Sequence, residues 1–183
     1  MTSGCCMAAL RSAPCRRWEL NLPRAAALLV FLVCTAVPAY AAEAPRVAFF
    51  GFSLINTSLE PTKPEEVARI KMIDELFRQK LDASGKFKIM PISAEGKKNL
   101  GGAAIENCNG CERDAAIASN ADWAAWGTVQ KVSNLILNIN LYMEDARSGK
   151  MEFVKSVDIR GNTDDSWQHG LNYMLKNYLL NQP

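Results

Sequence analysis

The chain has 183 residues, of which 21 are Lys or Arg and 19 are Asp or Glu, and 49% of its residues are hydrophobic. This length and composition are typical of a globular protein with a substantial core, and the sequence contains no repeat or low-complexity stretch. Basic residues beyond residue 41 are interleaved with acidic ones, which excludes nucleic acid as the partner.

Residues 1–41 have the features of a secretory signal peptide. Arginines precede an apolar run from Ala25 to Val37, and this run is shorter than the roughly twenty residues of a membrane-spanning helix. Ala39-Tyr40-Ala41 matches the small-x-small pattern that signal peptidase accepts. We therefore predict cleavage near Ala41 and a periplasmic protein without a membrane anchor.

The predicted leader also holds four of the six cysteines and all of the net positive charge. Val33 precedes Cys34, which departs from the lipoprotein pattern and disfavours lipid anchoring. A twin-arginine signal at Arg16-Arg17 is an alternative export route, although the residues after it match that signal poorly.

Residues 42–183 predict a single domain that begins with a strand and a helix. The run from Arg46 to Leu54 is apolar and short, as in a buried central strand. Thr62 and Glu65 predict a capping box around Pro64. Apolar residues spaced three and four apart then predict a helix that ends at Gly85.

The second half of the domain predicts a sheet meander and a final helix. Phe87–Ile92 contains a proline and is typical of an edge strand, and residues 93–107 predict at most one short helix. Period-two alternation and turn residues predict the following elements: a short helix at 112–119, strands at 123–132, 135–143 and 150–160, and a helix capped by Asn162 or Thr163. The fold class is therefore α/β (α+β), with a mixed, mostly antiparallel five-stranded sheet packed by two long helices and one short helix.

Two stretches carry a resemblance to known envelope domains. Residues 121–130, with their Asp-Trp-Ala-Ala-Trp-Gly run, and the turn at 144–150 resemble the amino-terminal domain of TolB. Related domains occur in the curli secretion lipoprotein and in the penicillin-binding-protein activator lipoprotein. The resemblance implies the fold more strongly than the function.

Three further stretches resemble a family of secreted proteobacterial proteins known as a domain of unknown function. These stretches are Asn107–Glu112, Gln130–Asn134 and Asp158–Asp164, and the resemblance spans essentially all of residues 42–183. It implies no activity of its own. It does imply a link to periplasmic quinoprotein alcohol oxidation.

Cys108 and Cys111 are the cysteines that remain after the leader. In an oxidising compartment a structural disulfide that closes a tight loop is the favoured interpretation, and loop closure would contribute roughly 2 kcal/mol. A redox-active dithiol is an alternative because Cys111 begins a helix whose dipole favours a thiolate. Metal ligation is a third interpretation, but it would need more donors than this pair supplies.

Other candidate chemistry in the sequence is weak. Glu112 stands where haem attachment requires a histidine, and Gly101-Gly102 lacks the lysine of a phosphate-binding loop. Asp165, Ser166 and His169 are too close along one helix to form a catalytic relay.

We hypothesise a periplasmic, non-catalytic accessory protein that binds another envelope protein and needs no cofactor or metal. The residues predicted to contact the partner are Trp126, Lys131, Asn134, Asp164, Trp167 and His169. An envelope thiol–disulfide oxidoreductase that uses Cys108 and Cys111 is the alternative, and a small-ligand or metal-binding protein is the second alternative. The tryptophans suit either a core or an exposed patch, and Asn134, Asn138 and Asn140 suit a solvated sheet face or recognition of a polar ligand.

Overall fold

A computed structural model describes residues 43–102 and 105–181. The predicted leader and its cleavage site at Ala41 lie outside these residues and stay predictions. Among the described residues, no helix is both long and apolar enough to cross a membrane.

A five-stranded sheet forms the centre of the fold, with the strand order β2–β1–β3–β4–β5. The strands are β1 (Arg46–Asn56), β2 (Lys88–Met90), β3 (Trp123–Lys131), β4 (Leu137–Asp145) and β5 (Met151–Ile159). β1 pairs in parallel with β2 and β3, whereas β3, β4 and β5 form an antiparallel meander. The antiparallel ladders join more residue pairs than the parallel ones, which confirms the predicted mixed sheet. β2 lies at one edge of the sheet, as its proline-containing segment predicts.

The helices are α1 (Pro64–Ser84), α2 (Ala94–Leu100), α3 (Cys111–Ala118) and α4 (Asp164–Met174). A 3₁₀ turn spans Ile105–Asn107, and a π-helical turn, Leu175–Leu179, continues α4. The described residues between 93 and 107 thus contain one short α-helix and the 3₁₀ turn, where the sequence predicts at most one short helix. α1 and α4 cover one face of the sheet and bury the main core against it.

α2 and α3 pack on the opposite face of the sheet and cover only part of it. The fully buried part of their core consists of alanines, against which partly buried larger side chains pack: Ala48, Ala116, Ala121, Ala124 and Ala146, with Phe50, Met90, Ile92 and Trp126 around them. The small alanine side chains bury little apolar area, so this layer is thin. Among the described residues, α3 packs on β1 and β3, and the part of that face over β4 carries polar and aromatic side chains.

A bulge in β1 explains why its sequence does not alternate strictly. Gly51 has a φ of 95°, and the register between β1 and β3 shifts between Phe49 and Phe52. The Phe52 N–H donates to Asp74 Oδ1 on α1 at 2.7 Å. As a result, Phe49 and Phe52 both turn into the main core, where they pack on Phe77.

Several element boundaries differ from the prediction by one to a few residues, and the contacts at the start of α1 and between β3 and β4 explain three of them. The helix cap is Lys63, with Glu66 accepting from the Lys63 N–H at 2.9 Å, so the predicted box of Thr62 and Glu65 is wrong by one residue. β3 and β4 are joined by a turn in which the N–H groups of Val132 and Ser133 both donate to the carbonyl of Ile136. Because of this turn, β3 ends one residue earlier and β4 begins two residues later than predicted.

Candidate functional site

The uncovered part of the sheet carries an aromatic and amide surface that we call the open face. It consists of Trp126, Thr128 and Gln130 on β3, and of Asn140 and Tyr142 on β4. Even-numbered residues of both strands share this face because side chains alternate along a strand. The open face forms the floor of a cavity of about 420 Å³, which the 3₁₀ turn and the loop before α3 close on one side.

Trp126 and Tyr142 stack across the open face. They are directly opposed in the β3–β4 ladder, with ring centroids 5.4 Å apart and ring planes at 17°. In the next pair along the ladder, Asn140 Nδ2 donates to Thr128 Oγ1 at 3.1 Å. These neighbours hold the surface in place, and both rings remain partly exposed.

The loop beside the open face contains the disulfide. Cys108 and Cys111 are joined, with Cα atoms 5.4 Å apart, and Cys111 begins α3 as predicted. Asn109 and Gly110 have φ values of 27° and 105°, which closes the loop tightly. Glu112 folds back over it: its Oε2 accepts from the Gly110 N–H at 3.2 Å and lies 2.9 Å from Cys108 Sγ.

A pair of carboxyl groups lies beneath this loop. Glu144 on β4 is 6% exposed, and its Oε1 has no hydrogen-bond partner among the described residues. Burial and, after it, the neighbouring Glu112 together raise the pKa of Glu144 to about 7, while Arg113 opposes the shift. A carboxylate oxygen of Glu112 and the disulfide-bonded sulfur atoms of Cys108 and Cys111 all lie within 4.8 Å of one another.

A second polar cluster lies at the other end of the sheet and is buried. Lys131 Nζ lies 2.6 Å from Glu66 Oε1, and both side chains are fully buried. Asn162 Nδ2 donates to Glu66 Oε1 at 2.6 Å and to Asn134 Oδ1 at 3.2 Å. Trp167 Nε1 completes the cluster by donating to Asn162 Oδ1 at 3.0 Å.

The six residues predicted to contact a partner therefore lie in different places. Lys131 and Trp167 have no exposed side-chain surface, so neither side chain can contact a partner directly in this conformation. Asn134 is half-buried and bonded to Asn162, while Asp164 is exposed and lies 2.7 Å from the Arg69 guanidinium. A binding role for these residues stays a prediction.

Trp126 and His169 keep accessible surface, but on different sides of the molecule. Trp126 belongs to the open face. His169 is exposed on α4 and lines a cavity of about 760 Å³ between β5 and α4. Among the described residues His169 makes no hydrogen bond, and Ser166 Oγ donates to the Arg160 carbonyl at 2.9 Å. Ser166 and His169 are therefore not joined as a nucleophile and its base.

The sequence does not predict that Glu112, Glu144 and Tyr142 lie in one region of the molecule. Tyr142 follows from the alternation of β4, which places it on the same face as Asn138 and Asn140. The contact between Glu112 and Glu144 has no comparable sequence signal, because α3 and β4 meet only through the fold.

Comparisons with known proteins give one match along the sequence and several in structure. The family model DUF3280, described as "Protein of unknown function (DUF2380)", matches residues 45–179. The LpoB C-terminal domain from Salmonella enterica is 11% identical, with a TM-score of 0.48 over 67% of this chain and 87% of that domain. Lipoprotein GNA1162 from Neisseria meningitidis is 14% identical, with a TM-score of 0.48 over 74% of this chain and 99% of that one.

TolB from Acinetobacter baumannii is 14% identical, with a TM-score of 0.40 over 74% of this chain and 30% of that one. No curated protein matches the chain. The TM-scores are all below 0.5, so these structures supply no inference about function.

Proposed function

The chain belongs to the DUF3280 family, as its sequence predicts, and from this premise we propose that it is a non-catalytic accessory protein of the periplasm. In this proposal the open face binds another envelope protein. The family description names no activity, so the proposal depends on the geometry of the site.

The observation that carries the proposal is the stacked pair Trp126–Tyr142, whose rings both stay partly exposed where Trp126 borders the alanine-packed layer of the described residues. Partly exposed aromatic rings supply large contact area at low entropic cost, and tryptophan and tyrosine are enriched at the centres of protein interfaces. Gln130 and Asn140 are partly exposed and supply hydrogen-bonding groups next to the rings, as the polar part of an interface requires, while the buried Thr128 holds the Asn140 amide.

A thiol–disulfide oxidoreductase remains the second candidate because Cys111 stands at the N-terminus of α3. The neighbouring Glu112 oxygen, 2.9 Å from Cys108 Sγ, argues against it. A carboxylate at this distance disfavours the thiolate that a reactive cysteine requires. A purified protein that reduces insulin with catalytic turnover would favour this candidate over the binding protein.

The proposal is tested by crosslinking in envelope extract. A photoreactive amino acid at Gln130 should give one discrete crosslinked protein, identified by mass spectrometry, and the same probe at Lys80 on the outer surface of α1 should not. Trp126→Ala should weaken this crosslink about tenfold or more, the size of effect expected for an interface anchor.

Tyr173→Ala is the matched control, since it removes an exposed aromatic ring from α4, away from the open face. It should leave the crosslink unchanged. Equal crosslinking at Gln130 and Lys80, or a crosslink that survives Trp126→Ala, would show that the open face is not the binding surface.

A further inference from the structure

We propose that reduction of the Cys108–Cys111 disulfide creates a binding site for a divalent metal ion of the zinc class. The ligands are the two thiolates and the carboxylates of Glu112 and Glu144. The site borders the open face but does not depend on the partner proposed above.

Three of the donors are already gathered in the disulfide form. The sulfur atoms of Cys108 and Cys111 and an oxygen of Glu112 lie within 4.8 Å of one another. Tetrahedral zinc has ligand distances of about 2.3 Å to sulfur and about 2.0–2.2 Å to oxygen, so its donors stand roughly 3.3–3.8 Å apart. Small side-chain movements within the loop would bring these atoms to that spacing once the S–S bond is broken.

Glu144 provides an independent indication that a ligand belongs here. It is more than nine-tenths buried, it faces Glu112, and its Oε1 has no hydrogen-bond partner among the described residues. A buried carboxylate oxygen without a partner is costly and uncommon in proteins. A cation between Glu112 and Glu144 would satisfy that oxygen and remove the repulsion between the two carboxylates.

The donor set selects the class of metal. Two thiolates with two carboxylates suit a tetrahedral ion of the zinc type, whereas calcium and magnesium require six or more oxygen ligands. Four anionic ligands exceed the charge of one divalent ion. Arg113 is the nearest compensating charge, since its electrostatic effect already acts on Glu144.

The redox step is a thiol–disulfide exchange. An external dithiol donates two electrons and two protons to the S–S bond of Cys108–Cys111, and is itself oxidised to a disulfide. Metal binding then displaces the two thiol protons, together with any proton on Glu144, into solvent. An external disulfide that accepts two electrons from the two thiolates, and is itself reduced to a dithiol with two protons from solvent, reforms the Cys108–Cys111 bond and releases the ion. The loop thereby couples metal occupancy to redox state.

The test is a cobalt titration of the full chain with the leader cysteines Cys5, Cys6, Cys15 and Cys34 changed to serine. After reduction by a dithiol and its removal under anaerobic conditions, the protein should bind one equivalent of Co²⁺. An intense thiolate-to-cobalt absorption band should appear, and Zn²⁺ should abolish it. The disulfide form should give no such band.

Variants separate the proposed ligands from their surroundings. Glu144→Gln should weaken cobalt binding at least about tenfold, while Glu106→Gln, in the exposed 3₁₀ turn, should leave it unchanged. Cys108→Ser with Cys111→Ser should abolish the band. Circular dichroism confirms that each variant is folded, and a folded Glu144→Gln protein with unchanged affinity, or a reduced protein without the band, would overturn the proposal.

Discussion

Gly127 on β3 is where a single methyl group would disturb the core most directly. A Cβ built at this position would fall on the ring of Phe52, whose own place is fixed by its packing against Phe49 and Phe77. Rings held on several sides cannot move aside without loss of packing. Gly127 is therefore required by close approach rather than by its backbone angles.

We expect Gly127→Ala to lower the free energy of unfolding by about 1–3 kcal/mol, the range for an overpacked core site. Urea denaturation of the purified protein measures this change. The matched control is the same substitution in a Phe52→Leu background, where the smaller side chain leaves room for the methyl group. An equal cost in both backgrounds would show that the ring of Phe52 is not the obstacle.

At the residue scale, the sequence predicts which face a side chain takes but not which partner it meets. Alternation along β3 places Trp126 on the open face, and the same alternation places Lys131 with Val129 on the core side. Lys131 is among the residues predicted to contact a partner, whereas the fold buries its side chain against Glu66. Its partner Glu66 lies on another element, and only the fold brings the two together.

The start of α1 shows how a tertiary contact fixes an element. Glu66 accepts hydrogen bonds from the Lys63 N–H and from Lys131 Nζ, so the carboxylate caps the helix and neutralises a buried charge at once. Thr62 and Glu65 have the right residue types for a cap one position earlier. Neither of these side chains reaches Lys131. For this reason the helix cap forms one residue later than the local sequence pattern predicts.

Glu66 also makes stability depend on pH. Burial alone would raise the pKa of Glu66, but hydrogen bonds from Lys131, the Lys63 N–H and Asn162 outweigh it and lower the pKa below its ordinary value. The folded-state pKa is thus below the unfolded one. The stabilisation that ionised Glu66 gives to the folded protein is therefore present above the unfolded pKa of about 4.3. It is lost as the pH falls through the folded pKa.

We expect Glu66→Gln to cost about 3 kcal/mol at pH 7, because the fully buried Lys131 loses its buried partner and keeps only the longer contact, 3.7 Å, to the half-exposed Glu60. The cost should shrink as the pH falls below the unfolded pKa of about 4.3 and through the lower folded pKa of Glu66, where the wild-type carboxylate becomes protonated. Urea denaturation across this range measures both effects. Glu65→Gln, at an exposed position in the same helical turn, should cost little at any pH, and a similar cost for the two variants would contradict the role of the ion pair.

For the whole molecule, the decisive asymmetry is between the two faces of the sheet. Large side chains fill the side under α1 and α4, including Phe49, Phe77 and Trp167, whereas alanines fill the side under α2 and α3. Sequence periodicity predicts the elements and the mixed sheet, since each depends on local pattern. It does not predict that one face stays partly bare, because helix placement depends on contacts between distant segments.

This asymmetry predicts that the layer of α2 and α3 opens independently of the main core. Segments with little buried apolar area unfold locally at low free-energy cost, and their backbone amides exchange with solvent through such openings. In the disulfide form, we expect amides of α3 to exchange at least about tenfold faster than those of α4. Hydrogen exchange followed by mass spectrometry or NMR measures the difference.

Replacement of Cys108 and Cys111 by serine should widen that difference. Without the loop closure, local opening of this layer should cost roughly 2 kcal/mol less. Amide hydrogens in residues 93–102 and 105–120 should therefore exchange about tenfold faster or more. β3, β4 and α4 should keep their protection because the main core does not include the loop. Acceleration spread equally over the sheet would instead mean that the disulfide stabilises the molecule as one cooperative unit, and that its thin layer is not a separate folding unit.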